Sequence, residues 1–387
     1  TATGSVTGST VDADAANLQT VTLSTAVLTV ANNTGSTPDS TNVIAGSAEV
    51  KVGSFRFTAQ YSPYTVQEIK VKIPANAATS VTAVTLKWAG GSATQALTLS
   101  SGALQTHATS TFTGLSFVVP ENTDADLDVY VGIPTVASGA SSGSAISAVL
   151  DFNEGFKAVD SSGTSDTSLA AADLTSVSTG KGTMHVRKSI PTLSAVALDT
   201  TNLAAGSDQV LGRVKITANA AGDISWKKLA FTVNKTAAIT LGATTTIALY
   251  NSANTQITGT FATTTGAQLA QTQAFTVLAT TGTLVFEATS EQQISAGSSV
   301  TYELRGTVGG IASGANSVSV SVANPSTSAT TVAYATIHTE VGDTGESFVW
   351  SDRSSISTVH SETTLDWTHD YLVKTLPLTV GSRSVNF

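Results

Sequence analysis

The sequence predicts an all-β protein: two tandem Ig-like β-sandwich domains with an irregular aromatic C-terminal tail. Three observations carry this. Apolar residues alternate with period two, Gly/Ser/Asn/Asp clusters separate the alternating runs, and the order of runs in the first half recurs in the second. Val50, Val52, Phe55 and Phe57 alternate with one slip near Gly53, the mark of a bulge. Ile69, Val71 and Ile73 alternate with Lys70 and Lys72. Val129, Val131 and Ile133 follow, then Val300, Tyr302 and Leu304, then Val318, Val320 and Val322. Segments such as Ser138-Gly139-Ala140-Ser141-Ser142-Gly143 read as turns, and long helical periodicity is absent.

The repeat sets the domain organisation. Ala45-Gly46-Ser47 recurs 160 residues on at Ala205-Gly206-Ser207, and Ile69/Val71/Ile73 recurs at the same offset as Leu229/Phe231/Val233. Ala137-Ser138-Gly139-Ala140 recurs at Ala312-Ser313-Gly314-Ala315, an offset grown to 175 by insertions. Conserved order with a slowly growing offset implies two related beads in a modular array. The boundaries expected are sandwiches at 30–190 and 191–340, with Pro191 at the joint, an N-terminal strand segment at 1–29 and a docking tail at 341–387.

Composition narrows the functional classes. The chain has 387 residues, net charge −9, 12% charged residues, 6% aromatics and no Cys. An acidic, charge-poor chain lacks the basic footprint for nucleic acid. No apolar run reaches the length of a membrane span. Few charges, many Ser and Thr hydroxyls and no thiols suit an extracellular, cell-surface location, with folding left to the core alone. The opening Thr1-Ala2-Thr3-Gly4, with neither Met nor an apolar leader, is expected of a mature exported product.

The tail differs from the body. It holds Trp350 and Trp367, two of the four Trp, with Phe348, Tyr371, His360 and His369. Phe-Val-Trp-Ser-Asp at 348–352, a Ser/Thr/His-rich spacer, Asp366-Trp367-Thr368 and Tyr371 form a pattern. It resembles the C-terminal segment of exported cell-surface and surface-layer-like proteins of small-genome candidate-phylum bacteria. The Ser/Thr-rich tandem body is similar to the same proteins. That resemblance implies a structural cell-surface role and no catalytic residues.

The function expected is a self-assembling subunit of a surface layer or filament, hence a homo-oligomer. Large aromatics dominate interfaces, so Phe348, Trp350, Trp367 and Tyr371 are the expected assembly anchors, with Val21 and Leu23 as a strand for intermolecular pairing. The alternative is an adhesin or glycan-binding module on cell-envelope glycans, with Trp88 and Trp226 as stacking rings. Glu121, Asp124, Asp126 and Asp128 supply hard oxygens suited to Ca2+, the one cofactor considered. Asn32 and Asn234 begin glycosylation triplets. No enzyme is expected: neither a Gly-x-Ser-x-Gly elbow nor a phosphate-binding glycine loop occurs, and the five His are scattered.

Overall fold

A computed structural model describes residues 2–3, 10–11, 24–99, 107–242, 247–263, 280–338, 344–355 and 359–387. The fold is all-β and Ig-like. The first half runs β1 (Val27–Asn32), β2 (Thr41–Ile44), β3 (Val50–Gln60), β4 (Tyr64–Pro74), β5 (Ala83–Trp88) and β6 (Gly91–Ala96). It continues β7 (His107–Phe112), β8 (Phe117–Val119), β9 (Thr123–Gly132), β10 (Ala145–Ile146), β11 (Val149–Asp151), β12 (Lys157–Asp160) and β13 (Met184–Arg187). One sheet has the order β1-β3-β9-β5-β6. The facing sheet is built around β4, flanked by β7 and β8 on one side and by β11 and β12 on the other. Each flank is one strand broken into two pieces. The slip at Gly53 is a register shift where Val129 faces Gly53 and Tyr130 faces Lys51.

The second half runs β14 (Pro191–Ala195), β15 (Gly206–Ala218), β16 (Ile224–Lys235), β17 (Ala248–Asn251), β18 (Gly259–Thr263), β19 (Thr281–Ile294), β20 (Ser299–Val308) and β21 (Ala315–Val322). The tail adds β22 (Phe348–Ser351), β23 (Trp367–Thr368) and β24 (Leu378–Asn386). One sheet is β14-β15-β20-β17, the other β18-β19-β16-β21-β24. The plan repeats that of the first half: β15 and β20 stand for β3 and β9, and central β16 stands for β4. Like β4, β16 is flanked on one side by a broken strand, β21 along Thr232–Lys235 and β22 along Ser225–Leu229.

That last pairing corrects the expectation for the tail. β22 occupies in the second sandwich the place that β12 occupies in the first. The tail therefore supplies three strands of the second sandwich and is not a loop beyond it. Phe348, Trp350 and Trp367 are fully buried within their own chain. Phe348 and Trp350 belong to the same core as Trp226, Phe286 and Tyr302, while Trp367 packs with Tyr334, Ile337 and Val349. Burial of such rings is favourable at about 25 cal/mol per Å2 of apolar surface, and the nearest apolar surface is cis. Edge strand β24 then crosses β15 so closely that a Cβ on Gly381 would lie 2.1 Å from the Leu211 carbonyl oxygen.

β16 shows the consequence. Ile224–Ala230 is buried on both faces, Lys227 and Lys228 included. The tail covers the side that a lone sandwich would leave to water. Lys228 is neutralised there by Glu346 at 3.0 Å, and Lys227 by Glu362. Removing residues 344–387 is expected to unfold the second sandwich and leave the first folded. Far-UV circular dichroism with limited proteolysis of the truncated chain checks this. Trp350→Ala in the full chain should cost about 3–5 kcal/mol in chemical denaturation.

Candidate functional site

The polar chemistry of the molecule concentrates where the two sandwiches meet. Arg187 ends β13, the last strand of the first half, and is 1% exposed. Its guanidinium donates to Thr331 Oγ1 (2.8 Å), Thr368 Oγ1 (3.0 Å) and the Thr330 carbonyl (3.2 Å), all in the second half. It also lies over the Trp350 ring, 5.7 Å from the centroid. Burial pulls its pKa down, and the charges of Asp352 and Asp366 oppose that. Asp352, fully buried, accepts from Ser142 Oγ (2.7 Å) and the Lys188 amide (2.8 Å). Asn42 Nδ2 donates to the Leu372 carbonyl at 3.2 Å. Half-buried Tyr371 sets its ring edge-on to His185 of the first half, 6.2 Å between centroids. Gly143 has φ +85°, and a Cβ there would meet Thr331 Oγ1 at 2.2 Å. So the aromatic residues expected to reach another copy close the joint of their own chain.

Beside the joint lies a constellation that distance alone would class as a hydrolase triad. His360 Nε2 is 2.9 Å from Ser351 Oγ and His360 Nδ1 is 2.6 Å from Glu291 Oε2. Nε2 also faces Asp366 Oδ1 at 3.0 Å. Burial lowers the imidazole pKa, but hydrogen bonds and charge from Asp366 and Glu291 outweigh it and hold the pKa at about 9. An imidazolium whose two N–H groups both point at carboxylates takes no proton from Ser351, and Ser351 is fully buried. Asp366, in turn, is held down at about 2 against its own burial, with the His360 hydrogen bond the leading cause. The group is a charged clamp between β19 and the tail.

The other expected site residues are scattered. Val21 and Leu23 lie outside the described residues. Trp226 is fully buried, edge-on to Tyr302 at 4.9 Å, so it offers no ring to a sugar. Trp88 is half-buried and lines an open groove of about 740 Å3 with Val118, Pro120, Tyr130, Asp124 and Asp126. Its indole lies across Gly91, and Lys87 Nζ sits 4.6 Å over the Tyr130 ring.

Asp124, Asp126 and Asp128 do share a face of β9, but they do not converge. Residues two apart on a strand are about 7 Å apart, and the carboxylates are met by side chains of β3 and β1's loop, with Arg56 between Asp124 (3.9 Å) and Asp126 (2.9 Å). Asp126 is bidentate with Arg56 (2.9 and 3.2 Å) and accepts from Asn33; Asp128 takes Lys51 (2.8 Å) and Ser54; Asp124 takes Thr58. Glu121 bridges its backbone to Ala59, and its Oε1 accepts from Asn122 Nδ2 at 3.3 Å. No group of three or more His, Cys, Asp and Glu gathers among the described residues. Asn32 donates its amide nitrogen to the Thr175 and Ser176 carbonyls (3.1 and 3.0 Å), so the atom a glycan would occupy is engaged in the folded chain. Asn234 is exposed on β16 and accepts from Thr281 Oγ1 at 2.8 Å.

No protein-family model and no curated protein matches the chain. Solved structures align across most of it. The C-terminal domain of the Streptococcus pyogenes antigen I/II-family protein AspA is 9% identical over 76% of this chain and 94% of that one, with TM-score 0.22. The C-terminal domain of the Streptococcus agalactiae antigen I/II polypeptide BspA is 8% identical over 77% and 95%, TM-score 0.22. The B domain of a biofilm-associated protein is 10% identical over 76% and 80%, TM-score 0.21. At such TM-scores the alignments carry no argument about this chain.

Two outcomes are expected from the joint. Arg187→Ala removes the donor to Thr330, Thr331 and Thr368 across the joint and should split one calorimetric transition into two. His360 has a folded pKa above its unfolded value, so its stabilisation is full below about 6.5 and is lost as pH rises through about 9. The melting temperature should fall across that window, and His360→Gln should flatten the fall.

Proposed function

We propose that the chain is a structural module of an extracellular cell-surface protein, two sandwiches locked by their own C-terminal segment into one rigid body. The observation that carries this reading is the joint: a fully buried Arg187 from the first half engaging three groups of the second, beneath a tail that completes a sheet. Such a joint suits a spacer that holds position rather than a hinge that closes on substrate. Hydroxyl-rich, thiol-free composition fits an exposed setting. Assembly into a layer or filament remains part of the proposal, but it uses surfaces other than the buried rings of Phe348, Trp350 and Trp367. No catalytic role is proposed for any residue. Among the described residues no helix is long and apolar enough to cross a membrane.

A second reading, adhesion to an envelope glycan, rests on the groove at Trp88, where an exposed apolar lip at Val118 faces the Asp124 and Asp126 carboxylates. The two readings separate in one set of measurements. Antibody labelling of intact source cells should decorate their surface, and small-angle scattering of the purified chain should fit one fixed arrangement of the two halves. Labelling only after lysis, or scattering that requires a flexible ensemble, contradicts the structural reading. On a glycan array the adhesin reading requires binding that falls at least tenfold in Trp88→Ala and Tyr130→Ala.

A further inference from the structure

The chain enters and leaves its two sandwiches by equivalent ends. β1 and β14 each pair their first residue with the last residue of the next long strand: Val27 with Gln60, and Pro191 with Ala218. At the opposite end, Thr41-Asn42 recurs 160 residues on as Thr201-Asn202. β2 lies parallel to β13 with Asn42 opposite His185, and Asn202 lies parallel to β24, opposite Ser384. β13 and β24 are therefore the exit strands of the two halves, and Asn386-Phe387 stands in the second where Arg187-Lys188 stands in the first. The first exit meets the second entry at the joint. Ser189 Oγ donates to the Gly222 carbonyl (2.6 Å), the Asn219 amide donates to the Ile190 carbonyl (3.2 Å), and Asn42 crosses to Leu372. Pro191 is buried there.

The other two ends carry no such cover among the described residues. At the first entry, Val27 is 40% exposed where its counterpart Pro191 is buried. Tyr61 is 56% exposed on the turn that corresponds to 219–222, and Val118 is exposed on β8 at the same end. At the second exit, Asn202 is exposed and Phe387 is 77% exposed. Val27, Tyr61, Val118 and Phe387 are four of the seven exposed large apolar side chains among the described residues, so apolar exposure gathers at the two ends that lack a neighbour. Each exit strand also holds a buried arginine. The donors of Arg187 are met by the next sandwich. Arg383 reaches only Gln209 Oε1 (3.3 Å), its Nε–H has no partner, and it enters no ion pair among the described residues. The first entry presents the opposite charge at exposed Glu121. We infer that the exit end of the second sandwich, at Asn202, Arg383 and Phe387, docks on the entry end of the first sandwich of a second copy, at Val27, Tyr61, Val118 and Glu121. The contact repeats between molecules the joint that the chain makes within itself. Two different ends meet, so the contact does not close and copies add in single file. Within the chain, residues 188–190 tether the two beads at high effective concentration. Between copies that tether is absent, so the association follows concentration.

This inference rests on the assembly part of the proposed function and names its surfaces. The test uses the full chain in sedimentation velocity from micromolar to near-millimolar concentration. The weight-average mass should at least double over that range, and electron microscopy at the upper end should show unbranched files of beads. Phe387→Asp blocks the exit and Tyr61→Asp blocks the entry. Both side chains are exposed, so each variant should keep the melting temperature of the parent chain and stay monomeric. Mixed one to one, the two variants should form a dimer and nothing longer, because each retains the end that the other lacks. Asn202→Arg for the exit and Val118→Asp for the entry form a second pair that should give the same result. A parent chain that is monomeric at every concentration would overturn the contact. So would a closed symmetric dimer, variants that assemble as the parent does, or a mixture of the two that stays monomeric. A monomeric chain that labels at the cell surface and scatters as one fixed body would sink this contact and leave the spacer reading standing.

Discussion

The second sandwich is unfinished until its own C-terminus returns to it. Between Ser225 and Leu229, β16 has one edge paired to β19 and the other open until Phe348–Ser351 arrives. Open edges bind whatever strand is at hand, and buried backbone groups left unpaired cost as much as lost hydrogen bonds. A strand in the same chain meets that need at a high effective concentration. The rings of Phe348 and Trp350 come with it and fill the core around Trp226. The feature that looks from a distance like a docking tail is thus the closure of the domain, with β24 as an outer strand of the same sheet, bonded through Ser384 to Thr201 and Leu203.

The same closure sets the relation between the halves. The segment that completes the sheet also passes over the joint, where it presents Thr368, Tyr371 and Asp352 to Arg187, His185 and Ser142 of the first sandwich. Burying a guanidinium is costly unless its donors are all met. Here Thr330, Thr331 and Thr368 of the second half meet them together with Asn42 and Ser142 of the first. Polar groups in such a place contribute specificity of arrangement more than net stability. An apolar joint of the same area would tolerate sliding. This one, built of directional bonds around a buried charge, does not.

The strands of the body were legible because one face of each is wet. Period two marks β4, β9, β20 and β21, and the slip at Gly53 marks the bulge. The tail was not legible for the opposite reason. β22 is buried on both faces, so Phe348-Val349-Trp350-Ser351 carries no alternation, and its partner lies more than a hundred residues upstream. Its polar neighbours Asp352, Asp366 and Asp370 carry no mark of burial in the sequence, yet all three are buried and hydrogen-bonded. One signal was available: the first repeat contains a strand at Lys157–Asp160, and the second repeat has no counterpart before residue 340. A repeat short of one strand asks for a donor. The acidic ladder Asp124/Asp126/Asp128 shows the same boundary. Its shared face followed from spacing, while its partners Arg56, Lys51 and Ser54 come from a neighbouring strand that spacing does not name.

The account depends on the tail closing in cis, and amide hydrogen exchange of the dilute monomer tests that most directly. Phe348–Ser351 and the β24 amides facing β21 should exchange as slowly as the centre of β16, at every protein concentration. Fast exchange of these amides in the monomer, with protection gained only as concentration rises, would mean that the strand is donated to another copy and would contradict the account.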